Sequence, residues 1–69
     1  MQQADIDNRF TYHVPKPGQA EVYAGVRARA KGLVEFLADS CPASRELSLA
    51  VTHIEDAVFW ANASIARQS

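Results

Sequence analysis

At 69 residues the chain holds one domain at most, and a domain this short buries only about 60% of the surface that its unfolded chain exposes. Hydrophobic residues at 48%, charged residues at 22% and a net charge of −1 make an ordinary soluble composition, which excludes the basic field that long duplex nucleic acid calls for. Small domains are usually supplemented by disulfides, a structural metal or oligomerisation. Cys41 as the lone cysteine excludes an internal disulfide, and Cys41, His13 and His53 are too few and too widely spaced for a closed zinc site, so oligomerisation is what remains.

The first nine residues read as a short N-terminal helix (1–9) of about two turns, a length that depends on tertiary support. Their polarity, and the lack of any apolar run of about 18 residues, predict neither a signal peptide nor a membrane span. A lone thiol fits a reducing, intracellular setting, in which the Asn62-Ala63-Ser64 glycosylation triplet has no role. Pro15, Pro17 and Gly18 then mark an irregular loop over residues 10–18, FTYHVPKPG.

From Gln19 the pattern turns helical (19–40), with Tyr23, Val26, Ala30, Leu33, Val34 and Leu37 recurring on one stripe. Cys41-Pro42 breaks it, because the residue before proline is pushed out of helical geometry. A second helix (44–67) carries a cleaner stripe of Leu47, Ala50, Val51, Ile54, Ala57, Val58, Ala61 and Ile65. Ser44 is placed as its N-cap, and Glu46 stands in the first turn, where the helix dipole favours an acid. The short connection predicts an antiparallel hairpin. The fold class is therefore all-α: a short N-terminal helix followed by an antiparallel helical hairpin.

Several apolar residues fall off these stripes. Leu49, Phe59, Trp60 and Ala63 project away from Ile54, and Phe36 does the same on the preceding helix. The last helix is then apolar nearly all round between Ala57 and Ala66, which predicts burial on more than one side, with a second copy as the cover. Isolated surface aromatics are the alternative.

No HExxH motif, glycine-rich phosphate loop or CxxC pair is present, so catalysis is not expected. His53 reads as a solvated histidine, Cys41 as a small buried hydrophobe, and Glu46, Glu55 and Asp56 as a solvated acidic face. The loop is more informative. Arg9, Phe10, Tyr12, His13 and Lys16 place aromatics and cations together, while Arg27 and Lys31, four residues apart, share a helix face at the edge of the apolar stripe. Aromatic rings stack on bases and guanidinium forks hold phosphates, so nucleotide binding is one reading. Aromatics that merely staple the loop to the core are the other.

Three segments carry a family resemblance: RFTYH (Arg9 to His13), CPASRELSLA (Cys41 to Ala50) and AVFWANASIAR (Ala57 to Arg67). In this order and spacing the chain resembles the Acb2 family of phage anti-CBASS proteins, whose hairpin domain is shared with part of the Tad1 anti-Thoeris group. The resemblance implies a homohexamer built from dimers, acting in the host bacterial cytoplasm without a cofactor. It implies pockets between protomers that sequester cyclic dinucleotides such as 3′,3′-cGAMP, and in some members a separate cyclic trinucleotide site, with no bond broken. Tyr12 matches the family's base-stacking loop tyrosine. Arg27 stands where the family tends to place a lysine against the phosphates, a change that keeps the charge but replaces a point charge by a planar fork. Phe10, His13, Lys31 and Arg9 are implied as neighbours, and Arg67 as part of the trinucleotide site. The competing readings are a structural or protein-interaction hairpin without a small-molecule ligand, and an enzyme that degrades a nucleotide signal.

Overall fold

A computed structural model of the protein describes residues 2–68. The described residues form three α-helices and no strand: α1 (Gln3–Phe10), α2 (Gln19–Ser40) and α3 (Arg45–Gln68). The all-helical class expected from the periodicity is the one the chain adopts.

Helix α1 begins on Gln2, whose carbonyl accepts from the amides of Asp5 at 3.1 Å and Ile6 at 3.2 Å. Its final turn is closed by side chains. The Thr11 hydroxyl donates to Asp7 O, and His13 Nε2 donates to Asn8 O at 2.9 Å, so carbonyls left over at a helix C-terminus find partners. The helix runs one residue further than expected, which moves Phe10 out of the loop and into the last turn.

The loop enters α2 through a turn dictated by its sequence. Lys16-Pro17-Gly18-Gln19 has proline at the second position, Gly18 at the third with φ 86° and ψ −15°, and a Gln19 N–H to Lys16 O bond of 3.1 Å. These are the marks of a type II β-turn, whose third residue needs the positive φ that glycine adopts without strain. Gln19 then folds back over the turn. It is buried, its Oε1 accepts from Lys16 N at 2.8 Å, and its Nε2 donates to Ile65 O at 3.2 Å.

Helix α2 ends where Pro42 requires. Cys41 is extended at ψ 143°, and its amide donates to Leu37 O at 2.8 Å. Two residues later Ser44 caps α3: its Oγ accepts from Leu47 N at 3.2 Å and donates to Pro42 O at 3.1 Å. The Gln19–Ile65 bond ties the start of α2 to the end of α3, so the hairpin is antiparallel.

The stripes face each other, with Tyr23, Val26, Ala30, Val34 and Leu37 opposed to Leu47, Ala50, Val51, Ile54, Val58, Ala61 and Ile65, and all of them half-buried. No apolar residue among those described is fully buried. Leu33, expected on the stripe, is 47% exposed, and Ala57 is exposed as well. Cys41, expected to be buried, is exposed, because nothing packs over the end of the hairpin. The reason lies in the shape: extents of 46 × 30 × 12 Å make a slab one helix thick. The radius of gyration is 15.4 Å, against about 11 Å for a globular domain of this length. The accessible surface is 5546 Å², against about 4,300 Å² for a compact 7.6 kDa monomer.

Candidate functional site

Between α2 and α3 the slab carries an open groove of about 780 Å³, within the range of small-molecule sites. Helix α2 contributes Ala24, Arg27, Ala28, Ala30, Lys31, Val34 and Glu35, and α3 contributes Val51, Ile54, Glu55 and Val58. The short alanine side chains are what leave the groove room. Its lining is mostly apolar and carries four charged groups, two cations and two carboxylates. Arg27 and Lys31, one helical turn apart, lie on the same face and are both exposed. Among the described residues no ion pair joins them to Glu35 or Glu55, so all four charges are available to an incoming molecule.

A family model described as Acb2/Tad1, hairpin domain, matches residues 2–66. The chain belongs to the Acb2/Tad1 hairpin family. That membership fits a phage anti-defence role and a small helical hairpin domain. No curated protein and no solved structure matches the chain.

In this Acb2/Tad1 hairpin the residues implied as binding partners divide into three groups. Arg27 and Lys31 are brought together in the groove. The aromatic group is not brought to it: Tyr12 is 82% exposed and Phe10 86% exposed, and neither lines the groove. Arg9, in the last turn of α1, is likewise exposed and outside it. His13 is half-buried and engaged with Asn8 O, which gives it a structural task in holding the loop to α1. Arg67 stands apart, half-buried in a smaller depression of about 230 Å³ with Trp60, Ala63, Ser64 and Gln68.

A third, strongly apolar depression of about 280 Å³ is lined by Val26, Leu33, Ala57 and Ala61, with Arg29 at its edge. It shares Ala30, Ile54 and Val58 with the main groove, so the helix seam is open on both faces of the slab. Phe59 and Trp60 lie edge-to-face, centroids 5.5 Å apart at 88°, and remain 66% and 63% exposed. No helix among the described residues is long and apolar enough to cross a membrane.

Three features escaped the sequence. Gln19 clamps the loop to both hairpin helices, and no local pattern marks a glutamine for that task. Asn62 Oδ1 is buried with no hydrogen-bond partner. Glu55, taken for part of a solvated acidic face, shares the groove with Arg27 and Lys31. The spacing of Val51, Glu55 and Val58 on one side of α3 was the available signal for the last of these.

Proposed function

We propose that this protein binds and sequesters cyclic oligonucleotide second messengers, without cleaving them, and thereby prevents activation of bacterial CBASS effectors in the infected host cytoplasm. The observation that carries the reading is the pairing of Arg27 with Lys31 in an open, largely apolar groove, on a chain of the Acb2/Tad1 hairpin family. The two cations suit the phosphates of a cyclic dinucleotide such as 3′,3′-cGAMP, and the Arg27 fork takes a phosphate through two parallel hydrogen bonds. The apolar lining suits the faces of the bases. Arg67 and its neighbours form a separate candidate for cyclic trinucleotides.

The groove lining of one copy includes no aromatic ring, and Tyr12 is exposed outside it. A stacking ring is supplied if Tyr12 of one copy covers the groove of another, with Phe10, Arg9 and His13 as its surroundings. Association has a physical drive. The protomer exposes about 1,200 Å² more than a compact chain of its mass, and a partner in a standard interface covers about 800 Å² per side. A homo-oligomer, the hexamer of the family resemblance, accounts for that surface and for the exposed Phe59–Trp60 pair.

The test is calorimetric titration of the purified protein with a panel of cyclic di- and trinucleotides, followed by heat release of the ligand and chromatography. Nanomolar affinity, worth about −12 kcal/mol, with intact ligand recovered is the expected result. No binding across the panel refutes the reading; a degraded ligand replaces it with catalysis. Tyr12→Ala is expected to abolish binding while the oligomer persists. A second reading, an oligomerisation or protein-interaction module without a small-molecule ligand, is favoured by the apolar groove of Val26, Leu33 and Ala61 and by Phe59 and Trp60. It predicts assembly with no heat in any titration.

A further inference from the structure

We infer that Glu55 reads a base of the bound messenger and selects guanine. The inference rests on the proposal that the groove of Arg27 and Lys31 holds a cyclic oligonucleotide.

The groove presents a chemical conflict that narrows its ligand. A site meant only for phosphate gains from cations and loses from carboxylates, yet Glu35 and Glu55 stand in the same lining as Arg27 and Lys31, and of the two only Glu55 comes from the helix opposite the cations. Among the described residues no ion pair neutralises it. Its level along the groove follows from the hairpin register. Counting inward from the Gln19–Ile65 bond by the same number of residues on each helix brings Lys31 level with His53, in the turn of α3 that also carries Glu55. A phosphate held by Arg27 and Lys31 therefore lies on the α2 side, and Glu55 approaches the ligand from the α3 side.

A carboxylate only accepts hydrogen bonds, through two oxygens set side by side. It offsets its repulsion toward a dianionic ligand only where that ligand offers donors. Among the common bases, guanine alone presents two adjacent donors, N1–H and N2–H₂, with no acceptor between them. Adenine sets its N1 acceptor beside the N6 donor, cytosine sets its N3 acceptor beside the N4 donor, and uracil flanks its one N–H with two carbonyls. Opposite each of these, one carboxylate oxygen faces a lone pair. Val51 and Val58, one turn before and after Glu55, line the same groove and provide an apolar bed for the ring beside the reading carboxylate.

Glu55→Gln tests the assignment through a ratio of affinities. The substitution is nearly isosteric at an exposed position. It replaces one acceptor oxygen by a donor, so the acceptor pair that faces N1–H and N2–H₂ of guanine is lost, while the new acceptor–donor pair suits the N6 and N1 edge of adenine. Titrations with cyclic di-GMP and cyclic di-AMP are expected to show the unaltered protein favouring cyclic di-GMP by on the order of tenfold or more. The variant is expected to lose or reverse that preference. Mere removal of a negative charge tightens both ligands together and leaves the ratio unchanged, and an unchanged ratio overturns the inference while messenger binding stands. Equal binding of the two ligands by the unaltered protein overturns it as well. Failure of both ligands, and of the wider panel, to bind overturns the sequestration proposal and this inference with it.

Discussion

Replacing Gln19 by alanine isolates the device that fastens the loop to the hairpin. The side chain is buried, accepts from Lys16 N at 2.8 Å and donates to Ile65 O at 3.2 Å. Ile65 lies in the last turn of α3, where carbonyls run short of amide donors, so the second bond falls on the end of that helix. Each intramolecular hydrogen bond contributes about 0.5–1.5 kcal/mol net. Lys16 is an exposed residue and its bond to Gln19 is only part-buried, so water replaces part of it, which puts the combined loss at about 1–2 kcal/mol. In a domain of this size 1 kcal/mol moves the melting temperature by about 4–8 °C, so a fall on the order of 10 °C is expected. Thermal unfolding followed by circular dichroism, at matched chain concentration because assembly adds to apparent stability, measures it. Hydrogen exchange adds a local readout: the Lys16 amide is expected to lose protection in Gln19→Ala and to keep it in Gln19→Glu, where an acceptor oxygen remains. A fall below about 2 °C with unchanged Lys16 protection refutes the clamp.

Gly18→Ala is expected to cost about 1–2 kcal/mol through backbone strain alone, because φ is 86° and a Cβ there meets no atom within 4 Å; a melting temperature equal to that of the unaltered protein refutes this. Ser44→Ala removes the acceptor for Leu47 N and is expected to destabilise by about 1 kcal/mol, with exchange quickening first at the amides of the opening turn of α3. The double substitution of Phe59 and Trp60 to serine is expected to lower the assembled mass seen by light scattering while leaving the helical signal intact, since both rings are exposed in the protomer; an unchanged mass shows that the assembly uses another face.

The local architecture was legible because it is set by local physics. Proline at positions 17 and 42, glycine at 18 and serine at 44 act through fixed φ, permitted positive φ and a hydroxyl in reach of free amides, so the loop, the break and the cap could be placed from neighbouring residues, while the type II turn at the loop's end came from the structure. The alternation of Leu47, Val51, Ile54, Val58 and Ile65 likewise assigns one face of α3 to a partner helix. Within the site, Arg27 and Lys31 could be paired because four residues make about one helical turn.

What lay beyond the sequence depends on chain segments that meet across long separations. Gln19 reaches Ile65, 46 residues away, and a buried amide side chain gives no periodic signature. Glu55 joins Arg27 only through the antiparallel register, and Cys41 is exposed only because the hairpin end is uncovered. The loop aromatics were readable as stacking groups, yet only the tertiary structure decided that Tyr12 stays clear of the groove. Helical periodicity orients a side chain around its own axis; the thickness of the slab, and with it what remains uncovered, is decided by how many helices pack together.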